Sequence, residues 1–208
     1  TDLGSEIRRM FIPAEGCVLV DADYSQIELR LLAHISGDEA MRAAFTTGAD
    51  IHTATAAQVF HVDPADVTHE MRRRAKAVNF GIVYGISAFS LSQDIGVTVA
   101  EAKAYMEAYF ATFPGVRKYM DDVVAKAKEQ GYVETLFHRR RELPEIRSSN
   151  FNMRSFGERV ALNMPIQGTA ADIMKLAMVR VERRLAREGL AAQLIMQVHD
   201  ELIVECPE

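Results

Sequence analysis

Asp21 and Asp23 lie two residues apart in the apolar run CVLVDADY (17–24), and Asp200 and Glu201 are adjacent in QVHDE (197–201). If residues 17–24 form a strand, both early aspartates point to one face, because side chains alternate along a strand. Acids gathered at the end of a sheet repel one another unless a cation neutralises them, and hard oxygen donors suit Mg²⁺. A divalent-cation site is one reading; four separately solvated strand-end acids is the other. A second pattern sits in RRRAKAVNFGIVYG (72–85), where Arg72, Lys76, Phe80 and Tyr84 recur every four positions. On a helix these line one slowly rotating face about 18 Å long. Two cations followed by two rings match a ligand with a polyanion at one end and a flat ring at the other, a nucleoside triphosphate. The plainer reading is a solvated basic turn that runs into a core-facing aromatic stripe.

The elements that must position these groups come in mixed order. Residues 17–24 read as a buried strand after the turn-like Pro13 to Gly16, and 26–35 read as a helix. A long helical stretch follows. Asp63-Pro64 places a capping side chain before an N1 proline, and Thr98 with Glu101 has capping-box spacing. Gly131 ends a helix over 116–130. The segments 132–136 and around Leu143 predict a hairpin with Arg139, Arg140 and Arg141 in its loop, and helices over 151–162 and 168–187 flank Pro165. Two strands, 193–198 and 202–205, close the chain around His199-Asp200-Glu201. Strands near both ends with helices between them predict an α+β fold, one small sheet completed by distant segments.

Composition is that of a globular protein: 208 residues, 49% hydrophobic and 25% charged, which excludes disordered and low-complexity classes. The net charge of −5 is unusual for a chain that holds a polyanion, but Arg72 to Lys76 and Arg139 to Arg141 offer local basic surface. Cys17 and Cys206 form neither a disulfide framework nor a metal-ligand spacing. No apolar run reaches bilayer length and no signal peptide opens the chain, so membrane attachment is not expected.

Three stretches carry a resemblance to a known family. DYSQIELR (23–30) resembles motif A of family A DNA polymerases, RRRAKAVNFGIVYG (72–85) their motif B, and QVHDE (197–201) their motif C, in the family's order. ADIHTATAAQVF (49–60), GYVETLFHRRRELP (131–144) and ERVALNMPIQGTAADIMK (158–175) match as well, most closely the bacterial DNA polymerase I branch. The resemblance implies a small antiparallel palm sheet with a large helical fingers insertion. Its parts would be 1–37 (palm, motif A), 38–157 (fingers, motif B) and 158–208 (palm, motif C).

By resemblance, Asp23 and Asp200 hold two Mg²⁺ ions, the Tyr24 carbonyl is a further ligand and Glu201 an accessory carboxylate. Gln26, Glu28, His52, Arg72, Lys76, Phe80 and Tyr84 match residues around the incoming dNTP, with Lys76 also a proton source for the leaving group. Glu28 matches the steric gate against a 2′-hydroxyl. Phe80, where some relatives carry tyrosine, implies poor acceptance of dideoxynucleotides. Arg159, Asn163, Gln167 and His199 resemble contacts to the primer–template minor groove, where base pairs look alike and pair shape is tested. Arg140 and its neighbours are either phosphate contacts or a solvated loop, and His138 stands where a glycine is expected. The implied partners are primer–template DNA and dNTP, in a cytoplasmic, nucleoid-associated bacterial enzyme of replication or repair. The thumb and the rest of the palm of a longer parent would be missing, leaving the fragment weak or inactive. Two alternatives stand beside this reading: a single-subunit RNA polymerase-type nucleotidyltransferase, and a non-catalytic DNA- or nucleotide-binding fragment.

Overall fold

The computed structural model describes residues 6, 7 and 9–208. In chain order the elements are β1 (Cys17–Asp23), α1 (Ile27–Ser36), α2 (Glu39–Thr46), α3 (Ile51–Phe60), a 3-10 turn (Pro64–Asp66), α4 (His69–Val83), α5 (Ala88–Ile95), α6 (Val99–Thr112) and α7 (Pro114–Gln130). There follow β2 (Tyr132–Glu134), β3 (Arg140–Glu142), a second 3-10 turn (Pro144–Arg147), α8 (Phe151–Glu188), β4 (Gln193–Val198) and β5 (Glu201–Pro207). Helices with a small antiparallel sheet make this the expected α+β fold. Among the described residues no helix is long and apolar enough to cross a membrane.

The chain divides into two compact units, one holding residues up to Ile27 together with Ala170–Glu208, the other Glu28–Thr169. In the first, β5 is the middle strand of an antiparallel sheet ordered β1-β5-β4. Val198 pairs with Glu201, so β4 and β5 are joined by the two-residue turn His199-Asp200. His199 takes a positive φ of 51° there, and the Gln197 side chain donates to its carbonyl at 2.5 Å, fixing a turn type that carries the strands' twist. Cys17 and Cys206 are free thiols. Cys206 faces Val18 across β1 and β5, one register step from Cys17, so the two cysteines point to opposite faces.

In the second unit α3 packs on α4. Ile51, Ala56, Ala57 and Val59 of the former and Ala75, Val78, Ile82 and Val83 of the latter are buried. Asp38, itself buried, ties distant segments together. One carboxylate oxygen caps α2 through Met41 N at 2.9 Å. The other accepts from Gly115 N at 2.8 Å, a closeness glycine permits, since a Cβ there would stand 3.0 Å from Asp38. A further core joins Ala127 of α7, Val133 of β2, Leu143, Ile146 and Ala161 of α8. The Thr98–Glu101 capping box forms as expected, Gly131 ends α7 with φ 85°, and Asp63 caps a 3-10 turn.

Two local expectations are corrected. Arg140 and Arg141 lie in β3 rather than in the hairpin loop, paired with Glu134 and Val133. The helices expected on either side of Pro165 are one 38-residue helix with the proline inside. A helix-interior proline forfeits a backbone hydrogen bond and costs about 3 kcal/mol. Against this, Ala161 and Ile166 are buried on either side. The Thr169 hydroxyl also donates to the Pro165 carbonyl at 2.5 Å while accepting from Leu136 N at 3.0 Å. Packing outweighs local propensity, and the Thr169 hydroxyl ties the helix to Leu136 without replacing the bond the proline forfeits.

Candidate functional site

The sheet unit gathers the acids. Asp23, the last residue of β1, pairs in register with Glu201, the first of β5, so both point to one face, as does Asp21 opposite Ile203. Asp200 occupies the adjoining turn, and its carbonyl accepts from Tyr24 N at 3.0 Å. Desolvation at the strand end raises the Asp23 carboxyl above its usual range, and the negative charges of Asp200 and then Asp21 add to it. That mutual repulsion is what a cation would relieve. Among the described residues no three His, Cys, Asp or Glu side chains are set to hold a metal by themselves. One or two carboxylates completed by water and phosphate oxygens is the donor set Mg²⁺ prefers, so Asp23, Asp200 and the backbone at Tyr24 suit such an ion.

The helical unit gathers the cation-and-ring stripe. Phe80 and Tyr84 stack with centroids 6.5 Å apart and planes 18° from parallel. Lys76 Nζ stands 6.0 Å from the Phe80 ring, and the His52 ring lies 5.8 Å from it. The Tyr84 hydroxyl donates to Glu28 at 2.8 Å. Arg72 donates from Nε to Asp50 at 2.6 Å and from Nη2 at 3.3 Å. Asp50 also caps α3, accepting from His52 N and Thr53 N. Partial burial would lift the Asp50 carboxyl, but hydrogen bonds from Arg72 and Thr53 and the Arg72 charge bring it down to about 2. Burial lowers the His52 imidazole, Asp50 opposes the shift, and Arg72 and Lys76 reinforce it.

The neighbouring arginines are engaged differently. Arg73 and Arg74 both bond Glu70, at 2.7 and 2.9 Å, so much of the basic run is neutralised locally. Arg140 bonds Glu134 at 3.0 Å and lies 3.9 Å over the Tyr132 ring.

Along α8, Arg159 donates to Ser155 at 3.0 Å and borders a cleft of about 740 Å³ with Phe80, Tyr84, Gly85 and Leu162. Gly85 ends α4 with φ 67°, where a Cβ would meet Leu162 at 3.0 Å, so this close approach needs glycine. Asn163 and Gln167 line a second cleft of about 330 Å³ with Arg141, and Asn163 Oδ1 is buried there without a partner. His199 and Gln26 belong to the sheet unit; Gln26 holds a positive φ of 57° between β1 and α1.

The family model described as DNA polymerase family A matches residues 1–208. The chain belongs to DNA polymerase family A. It is 58% identical over 206 residues to DNA polymerase I of Geobacillus stearothermophilus, covering 99% of the chain and 24% of that protein. It is 56% identical over 207 residues to DNA polymerase I of Streptococcus pneumoniae serotype 4, again 99% of the chain and 24% of the relative. A solved structure, the POL domain of Pol1 from M. smegmatis in complex with DNA primer-template and dNTP, is similar with TM-score 0.94 and 48% identity. That likeness covers 100% of this chain and 37% of the solved one. This family A chain thus spans about a quarter of the length of the curated relatives it matches.

Two residues of the helical unit escaped the sequence reading. Asp50 carried a signal, an aspartate at the cap position before an apolar helical run. Asn79, buried inside α4 and 3.0 Å from His52, carried none beyond being an amide among apolar neighbours.

Proposed function

We propose that this chain supplies the catalytic palm and fingers for template-directed DNA synthesis in a longer, cytoplasmic and nucleoid-associated bacterial protein: nucleotidyl transfer from a dNTP to a primer 3′-hydroxyl. The observation that carries the reading is the register that sets Asp23 opposite Glu201, with Asp200 in the adjoining turn. Asp23, Asp200 and the Tyr24 carbonyl would hold two Mg²⁺ ions, with Glu201 beside them. When bound, the ions supply Lewis-acid activation of the 3′-hydroxyl and neutralise the charge that develops on the departing pyrophosphate.

The chain's own groups do the rest. Arg72, Lys76 and His52 take the triphosphate, and Lys76 gives a proton to the leaving oxygen. Phe80 and Tyr84 pack on sugar and base. Glu28, steadied by the Tyr84 hydroxyl, occupies the space of a 2′-hydroxyl, with Gln26 near it in sequence. Arg159, Asn163, Gln167 and His199 meet the minor groove of the primer–template. Arg140, held by Glu134 through Nε and Nη2, keeps further guanidinium donors for a DNA phosphate.

Primer extension by the longer protein tests this. Asp23→Ala and Asp200→Ala are each expected to lower Mg²⁺-dependent extension by about 10³-fold or more, as removal of a group serving charge development does. Near-normal extension by either variant overturns the metal assignment.

A further inference from the structure

His52 is only 2% exposed, and Thr55 and Asn79 beside it are fully buried. The Thr55 hydroxyl donates to Asn79 Oδ1 at 3.2 Å, and Asn79 Nδ2 stands 3.0 Å from His52 Nδ1. A buried hydroxyl must place its proton. Thr112 and Thr169 place theirs on carbonyls four residues back, whereas the partner of Thr55 among the described residues is Asn79 Oδ1. Turning the amide over would leave that hydroxyl proton without an acceptor. The orientation of Asn79 is therefore set, with its NH₂ toward the imidazole.

An amide NH₂ can only donate, so the nitrogen it meets must be bare. A neutral imidazole with a bare Nδ1 carries its proton on Nε2, and a charged imidazole would press an N–H against the amide's own. The surroundings act in the same direction. Burial, Arg72 and Lys76 disfavour the imidazolium, and Asp50, the cap of the same helix, is the one group opposing them. Buried side-chain polar atoms without a partner are confined, among the described residues, to the Tyr109 and Tyr119 hydroxyls and Asn163 Oδ1. Nε2 of His52, the ring nitrogen turned away from Asn79, has no hydrogen-bond partner among the described residues.

We propose that Asn79, oriented by Thr55, is a positioning residue that locks His52 as the neutral Nε2–H tautomer, presenting one uncharged hydrogen-bond donor to a phosphate oxygen of the nucleotide. The identity of the ligand rests on the proposed function; the tautomer rests on the buried relay alone. Arg72 and Lys76 contribute charge to a triphosphate, and His52 then contributes direction without adding a third positive charge between them. The donor also cannot be lost to the other tautomer when the nucleotide leaves.

The test begins with nitrogen NMR of the 208-residue chain labelled at histidine, with His52→Gln identifying the signals. The expected spectrum at neutral pH has Nε2 in the protonated range and Nδ1 in the bare range. Asn79→Asp replaces the donor with an acceptor and is expected to move the proton to Nδ1 or charge the ring. Thr55→Val, nearly the same volume, is expected to mix the tautomers by freeing the amide, and it serves where the aspartate variant does not fold. An Nδ1–H tautomer in the native chain, or a tautomer unmoved by these substitutions, overturns the proposal. In the longer protein, Asn79→Leu is expected to raise KM for dNTP roughly three- to tenfold with little change in kcat, the pattern of lost ground-state binding. An unchanged KM overturns the phosphate-donor role. An inactive native enzyme with the expected tautomer would refute the proposed function while supporting the Thr55–Asn79–His52 relay.

Discussion

Glu28 is half-buried, and its carboxylate is held in place by a hydrogen bond from Tyr84, itself part of the ring stack that begins at Phe80. A side chain that excludes a substrate by bulk must not swing away, and the Tyr84 hydroxyl restricts it. In the proposed function, Glu28→Ala opens that space, and ribonucleotide incorporation relative to deoxynucleotide should rise about 10²-fold or more. Parallel primer extension with the two nucleotide sets measures it. A ratio unmoved by the substitution would assign sugar choice elsewhere, and ribonucleotide incorporation by the unsubstituted longer protein would bring the RNA polymerase-type alternative back into play.

Helices α3 and α4 meet at Asp50, which caps one and pairs with Arg72 of the other. Its folded carboxyl lies at about 2, below the roughly 3.9 of an unfolded chain. A depressed folded value stabilises the native state fully above the unfolded value and is lost as pH falls, here between about pH 4 and pH 2. Asp50→Asn keeps a capping side chain but removes the titration, so stability of the variant should fall less steeply across that window. Urea unfolding of both proteins from pH 2 to 7 checks it; parallel curves would contradict it. Farther along, α8 crosses the segment after β3 so closely that a Cβ on Gly157 would stand 2.8 Å from Ile146 N and 2.9 Å from its Cα. Backbone cannot give way as a flexible side chain can. Gly157→Ala is expected to cost about 1–3 kcal/mol through overpacking, read as a lower Tm, and an unchanged Tm would show the approach to be looser.

Across all 208 residues the net charge is −5, and many of the cations are already paired. Arg72 serves Asp50, Arg73 and Arg74 serve Glu70, Arg140 serves Glu134, Lys128 serves Glu158 and Arg184 serves Glu188. Each exposed pair adds little to stability, yet each reduces the field a phosphate backbone would feel. The 208-residue chain by itself is therefore expected to bind a primed duplex no more tightly than about micromolar at physiological salt, with little or no extension. Fluorescence anisotropy with a labelled duplex measures the first, and nanomolar binding would show that these pairs open readily for DNA.

Features set by neighbours within a few residues could be read from the chain alone. They include the strand before Tyr24, the Thr98 capping box, the stop at Gly131, and the four-residue stripe from Arg72 to Tyr84. The motifs made the family legible as well. Folding decided what depends on partners far apart in sequence: which residue faces Asp23, which carboxylate claims Arg72, and which nitrogen of His52 meets Asn79. It also decided that α8 runs through Pro165, because the burial of Ala161 and Ile166 outweighs a local rule. Propensity, capping and periodicity act over a turn or two of backbone and are written in adjacent letters. Strand register and buried hydrogen bonds are chosen by the free energy of the folded chain, which no short segment contains.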